Sequence, residues 1–325
     1  LQSPVQVLLC LLTIMVLKAP ETASLGRAVA EMTEKRVTAE QEFAKNADLK
    51  KEDLATLRDW AAAQPHLPKI TEEQMILFFH SCYWDIENTK SCINVYYNTR
   101  SNTPEFFSNR DAKKQNLKQA LQVLHYSALP VKDPNGYQII YHGLQQFEAS
   151  KYVFADGVKM LAMAIDACAM VEGTVPGYIF LFNMKGVRLT HLTRLSVGLL
   201  RKFFVYIQEG MPVRLQAIHV VNTMPIIDKI MFMIKPFMKK ELLSMLHFHY
   251  GDYSEVQKCI PKECLPKDLD GDLKSIDELH ADFCEWMERM TPQFLEEENY
   301  RGESSKGKSK KEPENDLSLS NLSFD

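Results

Sequence analysis

The stretch Ile218–Tyr250, IHVVNTMPIIDKIMFMIKPFMKKELLSMLHFHY, decides how the rest of the chain is read. It opens as an apolar run of strand length, passes into an apolar helix, and returns through a short charged turn to a second strand. Asn222 and Thr223 are candidate caps for the helix, and Pro225 suits its first turn. Lys235 precedes Pro236, which predicts that the regular helix ends or kinks there. At about 100° per residue, Ile226, Ile227, Ile230, Met231, Ile234, Phe237 and Met238 share one broad face, with Asp228, Lys229 and Lys235 on the other. Phe232 falls among the polar groups. A core helix covering a sheet satisfies this pattern, and so does a lid. Burying the apolar face favours closure by about 10–20 kcal/mol as an upper figure. Such a lid opens only where another apolar phase, a lipid ligand or a bilayer, replaces the lost contact. An exposed aromatic flanked by lysines is the pattern of a helix that lies in a membrane interface.

The chain has 325 residues, 46% hydrophobic and 25% charged, an ordinary globular composition with ample material for a core. Its net charge of −4 provides no global field to recruit nucleic acid, so no nucleic-acid partner is expected. Seven cysteines occur without a CxxC pair and in odd number, which reads as free thiols in a reducing, cytoplasmic setting. Val5–Leu17 is an apolar run of signal-peptide length, but no lysine or arginine precedes it and it is too short to span a bilayer. Met15 reads as a start, making residues 1–14 upstream read-through; a signal peptide is the competing reading.

Outward from the opening stretch, the chain divides by pattern. Residues 1–44 read as a flexible arm. Residues 45–118 read as a helical module: a helix over Leu49–Ala63, a proline-containing turn, a capping-box start at Thr71 and Gln74, an Asp85-capped helix, and a break at Thr103-Pro104. From Leu121 the character changes. LQVLHYSAL and YQIIYHGL read as strands joined through a DPNG turn, and Tyr152–Val171 as a helix. GYIFLFNM reads as a strand buried on both faces, followed by a helix that Thr190 caps and that runs to Gln208. Leu215–Val221 and MLHFHY complete the strands, and Ile276–Met290 a closing helix. Alternating strands and helices predict an α/β domain with a mixed sheet over 119–290, with 291–325 a disordered polar tail.

No catalytic set emerges: GxSxG, GxxxxGK[ST] and GxGxxG are all missing, and no enzyme activity or cofactor is expected. His247 and His249 share a strand face and with His219 form the sole candidate metal cluster; structural histidines are the better reading, and no metal is expected. The apolar surplus of the sheet region fits a hydrophobic cavity or a filled core equally.

LRDWAAAQPHLPKITEEQMILFFHSCYWDIENTKSCINVYYNTR (57–100) resembles the helical module that precedes a CRAL-TRIO lipid-binding domain. GYIFLFNMKGVRLTHLTRL, MPVRLQAIHVVNTMPIIDKIMFMIKPFM and LHFHYGDYSEVQKCIPKECLPKDLDGD resemble the domain itself, in the branch of the alpha-tocopherol transfer protein and cellular retinaldehyde-binding protein. The resemblance covers about 45–290. It implies an α/β domain whose sheet floors a lipid pocket under a mobile helix. It also implies a non-enzymatic carrier that binds a small hydrophobic lipid, a retinoid, tocopherol or similar, and transfers it between membranes. The alternative is a protein-interaction or regulatory module whose pocket is filled.

Carried over residue by residue, the resemblance places Tyr178, Phe182, Leu195, Phe203, Ile207, Met211, Val213 and Ile218 on the pocket wall. Ile226, Ile230 and Ile234 form its lid, and the helix around Met160 and Ala164 a further wall. Met160 and Ala164 stand where the tocopherol protein carries serine, which implies a less polar ligand or another orientation. Phe232, Lys229 and Lys235 are the expected membrane contacts. A phosphoinositide cleft is poorly matched: Arg214 keeps one basic position, and Lys239 and Lys240 stand as possible substitutes for positions that are not basic at Cys82, Gln216, Glu241 and Met245.

Overall fold

The computed structural model describes residues 35–299; of the expected arm 1–44 the residues before 35, with the segment 1–14, lie outside the described residues, as does the chain from residue 300, while residues 39–44 of that arm are helical. Among the described residues, six helices come first: α1 (Ala39–Lys45), α2 (Lys51–Ala62), α3 (Glu72–Ser81), α4 (Ile86–Asn102), α5 (Pro104–Phe107) and α6 (Gln115–Val123). Their ends follow local chemistry. Thr71 Oγ1 accepts the Gln74 backbone N–H at 3.2 Å while Gln74 reaches back to the Thr71 N–H, a reciprocal cap. Asp85 Oδ1 accepts the Asn88 N–H at 2.7 Å and starts α4. Pro104, which lacks an N–H, occupies the first turn of α5, where none is needed.

The α/β part follows as β1 (Leu124–Ala128), β2 (Gln138–Leu144), α7 (Phe154–Glu172), β3 (Tyr178–Asn183), α8 (Leu189–Leu192), α9 (Val197–Val205), a π-helical turn (Tyr206–Gly210) and β4 (Leu215–Val221). Then come α10 (Ile227–Ile234), a 3₁₀ turn (Lys235–Phe237), α11 (Lys240–Ser244), β5 (Leu246–Phe248), α12 (Ser254–Gln257) and α13 (Ile276–Asn299). The strands form one mixed sheet in the order β1-β2-β3-β4-β5, antiparallel between β1 and β2 and parallel elsewhere. The expected DPNG turn joins β1 to β2: Gly136 takes φ +79° and Asp133 Oδ1 accepts the Asn135 and Tyr137 N–H groups.

Several boundaries differ from the expectation. Leu121–Val123 belong to α6, whose end runs directly into β1, because an apolar run of that length fits either element. Thr190 is not a cap: α8 begins at Leu189, the chain breaks, and Ser196 Oγ caps α9 through the Leu199 N–H at 3.4 Å. Asn222 and Thr223 do not cap α10 either, since Asn222 (φ +54°) donates to Asn183 Oδ1 and Thr223 Oγ1 donates to Val220 O.

Residues 291–299, expected in a polar tail, are helical, because α13 continues to Asn299. The reason is electrostatic. Arg100 and Arg110, 4% and 0% exposed, both pair with Asp166 of α7 at 2.7 Å, and Arg110 also reaches Glu297 Oε2 at 3.0 Å and the Phe294 carbonyl. Carboxylates that look like solvated tail in the sequence are counter-charges for buried guanidiniums, and the helix must persist to deliver them.

One sheet face is a filled core. Ile139, Tyr141, Ile179, Leu181 and Val221 pack against Val256, Ile260, Leu265, Leu269 and Leu279, all buried. The opposite face carries the candidate site. The six described cysteines are free thiols. Among the described residues, no helix is long and apolar enough to cross a membrane.

Candidate functional site

Strand alternation points Tyr126, His142, Leu144, Phe182, Ile218, Val220, Leu246 and Phe248 to one face of the sheet, and there they floor a cavity of about 280 Å³. The start of α7 supplies a wall through Phe154, Gly157, Val158 and Leu161, spaced as one helical stripe. The segment α8–α9 and the π-helical turn supply His191, Leu192, Leu195, Phe203, Phe204 and Ile207. The roof is α10: Ile227, Ile230, Met231 and Ile234 face the cavity, with Met238 and Leu242 beyond it. Among the described residues, no lysine, arginine, aspartate or glutamate lines it.

The roof is fastened unevenly. At its C-terminal end, Gln208 grips both sides of the 3₁₀ turn: its Nε2 donates to Phe237 O at 3.1 Å and its Oε1 accepts the Lys239 N–H at 2.5 Å. Phe204 stacks on Phe237, and Lys239 pairs with Glu209 at 2.8 Å. At its N-terminal end, α10 has no side-chain cap. On its outer surface Phe232 is 81% exposed, beside the exposed Lys229 and Lys235. A large aromatic left in water costs burial free energy that another apolar phase would return.

Of the sequence-predicted wall, Phe182, Leu195, Phe203, Ile207, Ile218, Ile230 and Ile234 line the cavity together. Met160, Ala164, Tyr178, Met211, Val213 and Ile226 do not. Met160 precedes Leu161 by one residue, about 100° round α7, and is fully buried; Ala164 lies one turn past Leu161, where the stripe's contact with the cavity ends. Tyr178 shares a face with Phe182 but sits at the start of β3, away from the strand's cavity end, and its hydroxyl is buried without a partner. Met211 is buried and Val213 half-buried in the connection after the π-helical turn. Ile226 precedes the first turn of α10, so Ile227 takes the wall position in its place.

Sequence reasoning missed Tyr126, His142 and Phe248, which period-2 alternation from neighbouring strand residues would have found, and His191, which carried no such signal.

Of the proposed basic positions, Arg214 Nε donates to the His80 carbonyl at 2.8 Å and its guanidinium lies 4.2 Å from the Tyr83 ring centroid, so one donor and one face of it are used within the fold. Lys240 is exposed at the start of α11. The three histidines weighed as metal ligands bond one another: His219 Nδ1 lies 2.9 Å from His249 Nε2, and the His219 ring stacks on His247. Burial lowers the His219 pKa to about 4.

Comparison with known proteins places this geometry. Residues 125–271 match the CRAL/TRIO domain, and residues 46–117 match a Pinta-like UBA domain. The human alpha-tocopherol transfer protein-like protein is 26% identical over 253 residues, covering 77% of this chain and 73% of that one. Human clavesin-2 is 22% identical over 244 residues, covering 74% of each. A solved structure described as that of Sfh5 aligns at 13% identity and a TM-score of 0.44, over 65% of this chain and 76% of that one.

Proposed function

For a chain that belongs to the CRAL/TRIO family, we propose non-catalytic carriage: it binds a small hydrophobic lipid, of retinoid, tocopherol or similar kind, and transfers it between membranes from a cytoplasmic location. The supporting observation is the cavity of about 280 Å³ under a helix whose inner face is aliphatic and whose outer face presents Phe232. In water, lifting α10 exposes both the cavity and the inner face, so closure is favoured. At a bilayer, Phe232 inserts with Lys229 and Lys235 at the headgroup level, and acyl chains replace the contacts that α10 gives up. The reading as an interaction module requires a cavity plugged by the protein's own side chains, and the unfilled volume weighs against it. Phosphoinositide-triggered release has less support, because Arg214 is engaged by His80 and Tyr83 and Lys239 pairs with Glu209.

The test is Phe232→Asp in a fluorescence assay of lipid transfer between vesicles, with equilibrium binding measured on the same protein. A carrier loses transfer rate by about tenfold, since a Phe contributes about 1.5–3 kcal/mol on burial, while its equilibrium binding is kept. Equal loss of both removes the insertion step from the account.

A further inference from the structure

The cavity wall is apolar apart from a few groups, and two of those are imidazoles with an unsatisfied nitrogen. His191 on α8 is 4% exposed. Its Nδ1 accepts the Arg188 backbone N–H at 3.1 Å, which places the hydrogen of the neutral ring on Nε2. That Nε2–H is buried and has no partner. His142 on β2 stacks on Tyr126 with ring centroids 4.4 Å apart, and its Nδ1 is likewise buried and unpartnered. Burial lowers the His142 pKa to about 4 and that of His191 below its ordinary value, so both rings are neutral at pH 7. A buried donor without an acceptor is costly and uncommon in a folded protein. The His191 Nε2–H donor and the His142 Nδ1, two buried nitrogens without a partner on residues lining one cavity, have a common explanation if the missing partner arrives with the ligand. The same wall holds no charged side chain, so a buried carboxylate or phosphate would stand without a counter-charge.

We propose that His191 Nε2–H anchors an oxygen of the bound lipid, and that the ligand is therefore a neutral lipid bearing a hydroxyl or carbonyl group rather than a hydrocarbon or a fatty-acid anion. His142 is the second polar contact, open to either end of a hydroxyl. The inference rests on the carrier reading and deepens it by naming the ligand's chemistry. It also revises the expectation drawn from Met160 and Ala164: hydroxyls lost at those positions do not leave the cavity without polar groups, because imidazoles supply them on β2 and α8.

Three probes of one chain length separate the cases: dodecanol, dodecane and dodecanoate, bound to the full delipidated chain at pH 7.5, with affinities referred to a common hydrocarbon phase. The wild type is expected to favour dodecanol over dodecane by about tenfold, the scale of one buried unsatisfied donor, with dodecanoate no better than dodecane. His191→Leu lowers the dodecanol-to-dodecane ratio by about tenfold, and His191→Gln, which keeps a side-chain N–H, restores part of it. A wild type indifferent between dodecanol and dodecane, or one that binds dodecanoate tightest, overturns the assignment, as does a His191→Leu ratio equal to that of the wild type. Should His191→Leu fail to fold, the wild-type ratio and the Gln variant decide. Failure to bind any of the three overturns the carrier reading instead.

Discussion

The two faces of the sheet are made of similar side chains and end in opposite states. On one, Ile139, Ile179, Leu181 and Val221 are buried against residues 254–279. On the other, Phe182, Ile218, Val220 and Phe248 look into about 280 Å³ of unfilled space. The difference lies in the covering. The filled face is covered by single helical turns and tight bends that follow the sheet closely. At Gly271 a Cβ would stand 2.1 Å from the Leu265 carbonyl oxygen, so only glycine permits the backbone to come that near. The hollow face is spanned by whole helices, α7, α9 and α10. These cannot approach a sheet more closely than their own radius and side chains allow, about 10 Å between axis and sheet. Apolar surplus on a strand therefore does not choose between core and cavity; the conformability of the opposing chain does.

Truncation gives the largest expected effect. Leu181→Ala, in the filled face, should lose about 2–5 kcal/mol, because the neighbours cannot collapse into the space. Ile218→Ala borders space already empty and should lose about 1–2 kcal/mol, mainly the transfer of the lost atoms. Urea unfolding of delipidated protein measures both. Equal losses would mean that the two faces are packed alike.

Acidification comes next, and it acts on both faces. Burial lowers His142, on the hollow face, and His219, on the filled face, each from 6.5 to about 4. Below pH 6.5 the unfolded chain takes up protons that the folded chain refuses, so stability is full above 6.5 and falls as the pH drops towards 4. The loss is up to about 1.4 kcal/mol per pH unit for each such histidine. His142→Phe should flatten the slope of unfolding free energy between pH 6.5 and 4 by about one histidine's share. A ligand bonded to the neutral His142 ring would steepen it, so the delipidated and loaded proteins should differ in the wild type and converge in the variant.

Much of this was legible in the chain. The run of Gly177–Met184 and the face of Ile230 and Ile234 announced a doubly buried strand and a roof helix, because β and α periods differ and both were uninterrupted. At the roof, the expected apolar face held Ile226 and Ile227 alike and the resemblance named Ile226; that residue precedes the first turn of α10, and Ile227 takes the wall position. The C-terminal extent of α13 was hidden for a different reason. Glu297 and Glu298 are helical because Arg110, far away in sequence, needs them, and no local pattern encodes a distant counter-charge. His191 was hidden likewise: only folding reveals that one nitrogen is used by Arg188 and the other is not.

The smallest expected change in stability is the most discriminating. Enlarging a side chain in a close-packed interior forces its neighbours off their rotamers and costs about 1–3 kcal/mol. Ile179 and Ile218 are both buried, at 4% exposure, one on each face. Ile179→Phe should therefore pay that cost in full, whereas Ile218→Phe extends into the cavity and should change stability by less than about 1 kcal/mol, since it gains dispersion contact where none existed. The compensating loss appears in function. The added ring occupies volume meant for the ligand, so dodecanol binding by Ile218→Phe should weaken while that of Ile179→Phe, measured where the protein remains folded, does not. If Ile218→Phe proves as destabilising as Ile179→Phe, the hollow face has no space to give, and the reason for placing a lipid there disappears with it.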